Sequence, residues 1–211
     1  MTVPALDFWF DFASTYSYPA VMRIGALAGR DGVDVHFRPF LLGPIFKAQG
    51  WNTSPFNLFP AKGRHMWRDV ERICAELKLP FRRPDPFPQT SLLAARVALV
   101  GLDDGRGKDS WGRDSWGRDF CLAVYRAEFA AGLRIDEAET IRAILADLKV
   151  DPDKAMAMAQ TDDIKDKLRA QTAEAQRLDI FGAPTFTTPD GELFWGNDRL
   201  ENAIAWAKRG R

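Results

Sequence analysis

Cysteine and histidine are both scarce in this chain of 211 residues. Its two cysteines, Cys74 and Cys121, lie in apolar helical patterns and show neither Cys-x-x-Cys nor metal-ligand spacing. We therefore expect buried structural thiols and no dithiol redox cycle. The two histidines, His36 and His65, are isolated from each other and from any acidic ligand cluster, so the sequence predicts no metal site.

An excess of charge and long apolar runs are also missing. Lys plus Arg and Asp plus Glu number 29 each, so the formal net charge is zero and favours neither nucleic acid nor an anionic membrane. No stretch reaches the roughly 18 apolar residues of a membrane span, and the N-terminus lacks a basic segment. We expect a cytoplasmic protein whose partner is a small molecule.

The two ends of the chain show strand patterns, and the middle shows helical ones. The predicted elements at the ends are a strand over Leu6 to Phe12, a helix over Tyr18 to Gly29, a strand over Val33 to Phe40, a hairpin of Thr185 to Thr188 with Glu192 to Trp195, and a helix over Asp198 to Lys208. The first three form a βαβ unit. These patterns predict one α/β domain from residues 1–42 and 175–211.

The residues between these ends, 43–174, are predicted to form an inserted all-helical domain. Leu42 to Pro60 is rich in Gly, Pro and aromatics without periodicity, which indicates a functional loop. The predicted helices are Ala61 to Leu77, Ser91 to Leu102, Ser115 to Ala131, Asp136 to Leu148 with Asp136 as cap, and Asp151 to Leu178 in two pieces. A short tandem duplication, Asp109 to Arg118, is interpreted as a lengthened surface loop or helix start.

Ser14 is the most informative residue, because it lies where the first apolar strand passes through a small polar turn into a helix. The first N–H groups of a helix lack intrahelical partners, so its N-terminus is electropositive and suits an anion, a thiolate included. A plain N-cap serine explains the same pattern. Without a partner base the Ser14 hydroxyl is too weak an acid to be a nucleophile, so we expect it to donate a hydrogen bond.

The segment Phe181-Gly182-Ala183-Pro184-Thr185-Phe186 predicts a turn entering a short strand, with a candidate cis proline at Pro184. Together with the Ser14 turn, this pattern resembles the thioredoxin superfamily of the DsbA and kappa type. It is similar to kappa-class glutathione transferases and most of all to bacterial 2-hydroxychromene-2-carboxylate isomerases, in which a serine replaces the redox cysteine. The resemblance implies an α/β fold, a thioredoxin-like domain with a large inserted helical domain.

The resemblance also implies glutathione as cofactor and proposes its contacts position by position. Ser14 is the expected catalytic residue, and Ala183 before Pro184 is expected to pair through its backbone with the cysteinyl part. Polar groups at the γ-glutamyl end are expected from Asn197 and Asp198. The full set of expected cofactor-binding residues is Ser14, Tyr16, Asn52, Lys62, Ala183, Pro184, Asn197, Asp198 and Arg199.

Several of these residues have a purely structural interpretation as well. Asp198 with Glu201 fits a capping box, and Asn52 fits a turn in a proline-rich loop. Lys62 and Arg199 fit solvated surface positions, and Tyr16 fits helix packing.

The activity implied by the resemblance is glutathione-dependent isomerisation of 2-hydroxychromene-2-carboxylate-type acids to trans-o-hydroxybenzylidenepyruvates. A kappa-type glutathione transferase or peroxidase is the alternative within the family, and a non-catalytic thioredoxin-like binding module is the alternative of another class. The expected second ligand is an aromatic carboxylate or other electrophile. A homodimer is implied by the family alone.

Overall fold

The computed structural model describes residues 3–102 and 116–210. Four strands form one mixed sheet in the order β2-β1-β3-β4, and they are Ala5–Phe10 (β1), Asp34–Pro39 (β2), Thr185–Thr187 (β3) and Leu193–Trp195 (β4). β1 and β2 are parallel, whereas β3 is antiparallel to β1 and to β4. The predicted βαβ unit and C-terminal hairpin are confirmed.

β1 is apolar along most of its length because it is a central strand with helices against it. Leu6, Phe8 and Phe10 are fully buried, and the Phe8 ring stacks on Phe10 and Phe186 at centroid distances of 5.0 and 5.5 Å. On the opposite face, Trp9 Nε1 donates a hydrogen bond to Thr187 Oγ1 at 2.9 Å. These contacts fix the register that brings the end of β1 beside the loop before β3.

Helices account for most of the remaining chain. Their bounds are Ser17–Asp31 (α1), Leu42–Ala48 (α2), Pro55–Leu58 (α3), Pro60–Glu76 (α4), Leu92–Leu102 (α5), Gly117–Tyr125 (α6), Ala138–Asp147 (α7), Pro152–Met158 (α8), Asp162–Arg177 (α9) and Leu200–Ala207 (α10). A π-helical turn, Arg126–Ala130, extends α6, and 3-10 turns occupy Asn197–Arg199 and Lys208–Gly210. No helix in the described residues is long and apolar enough to cross a membrane.

The hydrophobic core is shared between the sheet and the helices. One cluster of buried side chains includes Leu6 of β1, Ile24 of α1, Met66 of α4 and Leu145 of α7. Both cysteines are buried free thiols, as expected, and burial raises the pKa of Cys74 to about 11. The division into residues 1–42 with 175–211 and residues 43–174 stays a prediction, as does the homodimer.

The loop prediction for Leu42 to Pro60 is wrong, because this segment contains α2 and α3. Hydrogen bonds at the start of each helix explain why both form, although the sequence there shows no apolar pattern with helical spacing. The Leu42 N–H at the start of α2 donates to the Asp11 carboxylate at 2.7 Å. The Ser54 hydroxyl accepts the Phe56 N–H at 3.3 Å, with Pro55 as the first residue of α3.

Two further helix predictions need correction. Asp136 does not cap α7: Glu137 is the N-cap residue, and the Asp136 carboxylate instead accepts two hydrogen bonds of 2.7 Å from Arg134. The helix predicted up to Ala131 changes to π geometry at Arg126. Residues 109–115, most of the tandem duplication, lie outside the described part of the chain.

Candidate active site

Ser14 lies in the turn between β1 and α1, with its hydroxyl at the N-terminus of the helix. The Ser14 N–H donates to Asp11 O at 2.9 Å, and the Ser17 N–H that opens α1 lies 3.4 Å from Ser14 Oγ, which accepts it. The Ser17 N–H also donates to the Ser14 backbone oxygen at 3.2 Å, and the N-cap residue of α1 is Tyr16. The interpretation of Ser14 as a plain N-cap is therefore wrong, and its hydroxyl is a second, longer acceptor at the helix start.

The Ser14 hydroxyl also joins the two ends of the chain. Its Oγ donates to the backbone oxygen of Ala183 at 2.8 Å, across 169 positions of sequence. The peptide bond between Ala183 and Pro184 is cis, which confirms the predicted turn. A serine hydroxyl has a single proton, so donation to Ala183 and donation to a bound sulfur are alternatives.

A cavity of about 810 Å³ opens beside this hydrogen bond. Ser14 and Ala183 line it together with α2, the segment around Asn52, the segment 87–92 and Trp195. Much of the wall is aromatic, with rings from Tyr16, Phe46, Trp51, Phe56, Phe87 and Phe181. This volume and lining are typical of a small-molecule site.

Asp11 stabilises the Ser14 turn through hydrogen bonds of its carboxylate. The sequence did not single out this residue. Its side chain is 4% exposed, and its carboxylate accepts the Ala13 N–H at 3.0 Å and the Leu42 N–H at 2.7 Å. Burial raises the pKa of Asp11, although these N–H donors oppose that effect. The carboxylate thus connects the Ser14 turn to α2, two walls of the cavity. An acid at the end of an apolar strand was the signal that could have found it.

Glu128 is a second buried acid, in the π-helical turn that extends α6. It is 0% exposed, and neither carboxyl oxygen has a hydrogen-bond partner among the described residues. Burial raises its pKa well above the ordinary range, and the nearby Asp11 and Asp136 charges raise it further. Burial without a partner therefore favours the protonated, neutral form of Glu128.

Tyr16 contributes its ring to the cavity, while its hydroxyl is committed elsewhere. The hydroxyl donates to Asp69 Oδ2 of α4 at 3.1 Å. Burial, with the Asp69 charge, raises the Tyr16 pKa, and Asp198 adds to this effect.

The turn Asn197–Arg199 is held against α1 by Arg23. Asn197 Oδ1 accepts from Arg23 Nε at 3.2 Å and the Asn197 backbone oxygen accepts from the same guanidinium at 2.6 Å. Glu201 forms an ion pair with Arg23 and neither it nor Asp198 caps the helix, so the capping-box interpretation is wrong. Asp198 and Arg199 are exposed and pair with each other at 3.1 Å.

The structure does not gather all expected cofactor contacts around the cavity. Ser14, Tyr16, Asn52 and Ala183 line it, whereas its described lining excludes Lys62, Pro184 and the turn Asn197–Arg199. Lys62 instead lies over the Phe59 ring, 4.8 Å from its centroid. No group of three His, Cys, Asp or Glu residues in the described ranges could hold a metal ion.

Comparison with known proteins identifies the family of the chain and two similar enzymes. The model of the DSBA-like thioredoxin domain matches residues 5–204, and the chain belongs to this family. It is 28% identical to a 2-hydroxychromene-2-carboxylate isomerase of Sphingobium xenophagum over 198 residues, 93% of this chain and 94% of the relative. It is 25% identical to glutathione S-transferase kappa 2 of Caenorhabditis elegans over 212 residues, 92% of this chain and 88% of that one.

A solved structure supports the fold assignment independently. The structure of a 2-hydroxychromene-2-carboxylate isomerase superposes with a TM-score of 0.82 at 23% identity, covering 97% of this chain and 95% of the other. The thioredoxin-like fold of DsbA and kappa type is confirmed, and the two relatives described above are an isomerase and a transferase. The similarity to these relatives supports the assignment of the protein as an enzyme.

Proposed function

We propose that the protein is a cytoplasmic, glutathione-dependent isomerase that converts 2-hydroxychromene-2-carboxylate-type acids to trans-o-hydroxybenzylidenepyruvates. The observation that carries this proposal is the Ser14 hydroxyl, which lies at the start of α1, beside Ala183, in the wall of an aromatic cavity. The name of the Sphingobium relative supports the choice of reaction.

The role of Ser14 follows from the energy of a hydrogen bond to a charged acceptor, about 1.5 to 3 kcal/mol. When a thiol binds at the cavity wall, the hydroxyl turns from the Ala183 oxygen to the sulfur. With the N-terminus of α1, this bond lowers the pKa of the bound thiol by about one to two units from its reference of about 8.5. Ser14 thus keeps much of the thiol ionised at neutral pH.

The backbone beside Ser14 fits a peptide cofactor. No described residue accepts a hydrogen bond from the Ala183 N–H, which leaves this donor for an extended peptide. Glutathione, when bound, supplies a thiolate that adds reversibly to the conjugated bond of the substrate and is regenerated. Asn197 and Asp198 hold the γ-glutamyl end in this proposal, because Asn197 has a free amide nitrogen and Asp198 suits an ammonium group.

The remaining expected cofactor-binding residues differ in how readily each can reach a ligand in the cavity. Asn52 lies in the cavity wall and can bind the peptide directly. Arg199 reaches ligand only as a neighbour of Asp198, and Lys62 needs to leave the Phe59 ring to do so. Tyr16 offers its ring, since its hydroxyl is bonded to Asp69.

The substitution Ser14→Ala tests the proposal. We expect the variant to bind glutathione but to lose most of the ultraviolet thiolate absorbance of the complex. Its glutathione-dependent isomerase kcat/KM is expected to fall about 10- to 100-fold, the equivalent of one charged hydrogen bond. Binding is measured by thermal shift, since a ligand at 100 times its Kd stabilises by about 2.7 kcal/mol. Equal thiolate absorbance in the two proteins would exclude this role for Ser14.

The kappa transferase of Caenorhabditis elegans supports a second candidate within the same fold. A transferase or peroxidase consumes glutathione, whereas an isomerase returns it unchanged. Thiol titration during turnover of a chromene carboxylate and of generic electrophiles distinguishes the two. A binding module of this fold would show a thermal shift with glutathione and no turnover with either class of substrate.

A further inference from the structure

A second cavity, of about 570 Å³, lies along one face of α4. Three arginines line it together with an aromatic pair and one acid, namely Arg64, Arg68, Arg83, Phe56, Trp67 and Glu71, and we call it the arginine groove. Among the described lining residues of the two cavities, Phe56 alone belongs to both. The arginine groove is therefore a separate site from the cavity at Ser14.

Helical spacing and one cation–π contact bring the three arginines to this groove. Arg64 and Arg68 are four positions apart in α4, so they lie one turn apart on the same face of the helix. Arg83 comes from the segment after α4, and its guanidinium carbon lies 4.6 Å from the centroid of the Trp67 ring. Like charges at such spacing repel each other. An anion between them would relieve this repulsion.

The protein neutralises these cations only in part. Glu71 is the single acidic residue in the described lining, and its carboxylate pairs with Arg68 at 3.0 Å. No carboxylate of the described residues lies within ion-pair distance of Arg64 or Arg83. Three arginines and one glutamate leave a formal excess of two positive charges in the groove.

The donors of the groove match the oxygens of a phosphoryl group. A guanidinium is a planar fork of N–H donors without an acceptor, and it binds phosphate through two parallel hydrogen bonds. Contact with the Trp67 ring holds the Arg83 guanidinium in place, so little side-chain freedom remains to be lost on binding. The excess of two charges suits a dianion better than a single carboxylate, and the volume is in the range of small-molecule sites.

We propose that the arginine groove binds the phosphoryl groups of a small molecule, either inorganic diphosphate or a phosphate ester of an organic compound. Arg64 and Arg83 supply donors that no described carboxylate occupies, and Arg68 contributes once it leaves Glu71. This inference is independent of the proposed function, because the binding requires neither glutathione nor the residues around Ser14.

The first arm of the test uses inorganic pyrophosphate as the probe and calorimetry at constant ionic strength, without glutathione. We expect saturable binding by the wild type. Arg64→Met is expected to raise the Kd about 5- to 10-fold, between the effect of an exposed ion pair and that of a charged hydrogen bond. Arg64→Lys keeps the charge but not the fork, so it is expected to recover part of this loss.

Three variants control for charge and position. Lys47→Met removes the cation in the lining of the Ser14 cavity, and Arg169→Met removes an exposed arginine of α9 outside both cavities. Each changes the net charge as Arg64→Met does, but its Kd for pyrophosphate is expected to change less than about twofold. Glu71→Gln frees Arg68 and is expected to lower the Kd about twofold or more.

The second arm distinguishes the two sources of a phosphoryl group. ADP is the organic probe, and adenosine is its uncharged control. We expect Arg64→Met to weaken ADP by the same factor as pyrophosphate and to leave adenosine unaffected. Tighter binding of ADP than of pyrophosphate by the wild type would assign the groove to phosphate esters, whereas equal or weaker binding would assign it to inorganic diphosphate.

Three results would overturn the proposal. The first is the absence of saturable binding of both pyrophosphate and ADP by the wild type. The second is an equal loss in Arg64→Met and Arg169→Met, which would indicate attraction by net charge alone. The third is a loss in Lys47→Met without one in Arg64→Met, which would place the probe in the Ser14 cavity. Thermal unfolding without ligand verifies that the variants are folded.

Discussion

Two groups of polar residues lie near α1, and they differ in their exposure to solvent. At the start of the helix, Asp11 is 4% exposed and Glu128 is 0% exposed. Along its flank, the Arg23 and Glu201 side chains are 20% and 51% exposed. The same kinds of charged residue therefore act under different dielectric conditions, and we expect pH sensitivity in the first cluster and salt sensitivity in the second.

The largest effect is expected from Glu128→Gln. Burial raises the pKa of Glu128 in the folded protein, so folding takes up a proton once the pH exceeds the unfolded pKa. The free energy of unfolding of the wild type then falls by about 1.4 kcal/mol per pH unit while folded Glu128 stays protonated. Glutamine does not titrate, so the stability of the variant relative to that of the wild type is expected to rise as the pH increases from about 4.5 to 7.

Urea unfolding of both proteins between about pH 4.5 and pH 7 measures this difference. Two parallel stability curves would show that Glu128 ionises normally in the folded protein, which contradicts its burial without a partner.

A smaller destabilisation is expected from Asp11→Asn. The carboxylate accepts N–H groups from Ala13 and Leu42, and asparagine has one oxygen to offer, so its amide NH₂ meets the other donor. Leaving one buried donor without a partner costs about 2 kcal/mol. Urea unfolding gives the loss, and faster hydrogen exchange at Ala13 or Leu42 locates it.

Asp163→Asn, an exposed acid on α9, is the matched control for Asp11→Asn and is expected to change stability by less than about 0.5 kcal/mol. If Asp11→Asn behaves like this control, the carboxylate does not hold the Ser14 turn to α2.

The smallest effect is expected from Arg23→Met. The guanidinium bonds to Asn197 and Glu201, but the pair is partly exposed, so its loss is expected to cost about 1 kcal/mol. The difference from the wild type should shrink in about 1 M salt, where the Debye length is about 3 Å. Thermal unfolding at low and high salt measures it, and a loss that salt leaves unchanged would indicate packing by the arginine stem instead.

Local patterns predicted much of the fold. Alternating apolar residues located strands, and apolar residues at helical spacing located most helices. Pro184 after Ala183 marked the turn that the structure confirms. The sequence did not predict α2 and α3, because neither helix has an apolar stripe. The distant Asp11 carboxylate bonds to the start of α2, and the Ser54 side chain caps α3.

The candidate site was only partly predictable. The sequence singled out Ser14 because a strand, a polar turn and a helix follow one another there. It singled out Lys62, which the structure places over the Phe59 ring, and did not identify Lys47, which lies in the cavity wall. Nothing periodic distinguishes two exposed lysines, so the choice between them depends on how α2 and α4 pack.

The sequence by itself determined most of the secondary-structure elements, the absence of a redox cysteine and the serine at the start of α1, because each depends on neighbouring residues. Only the tertiary structure decided that Ser14 meets Ala183 and that Asp11 joins the turn to α2. These contacts connect residues as many as 169 positions apart. They follow from sheet order and helix packing, which a local pattern does not encode.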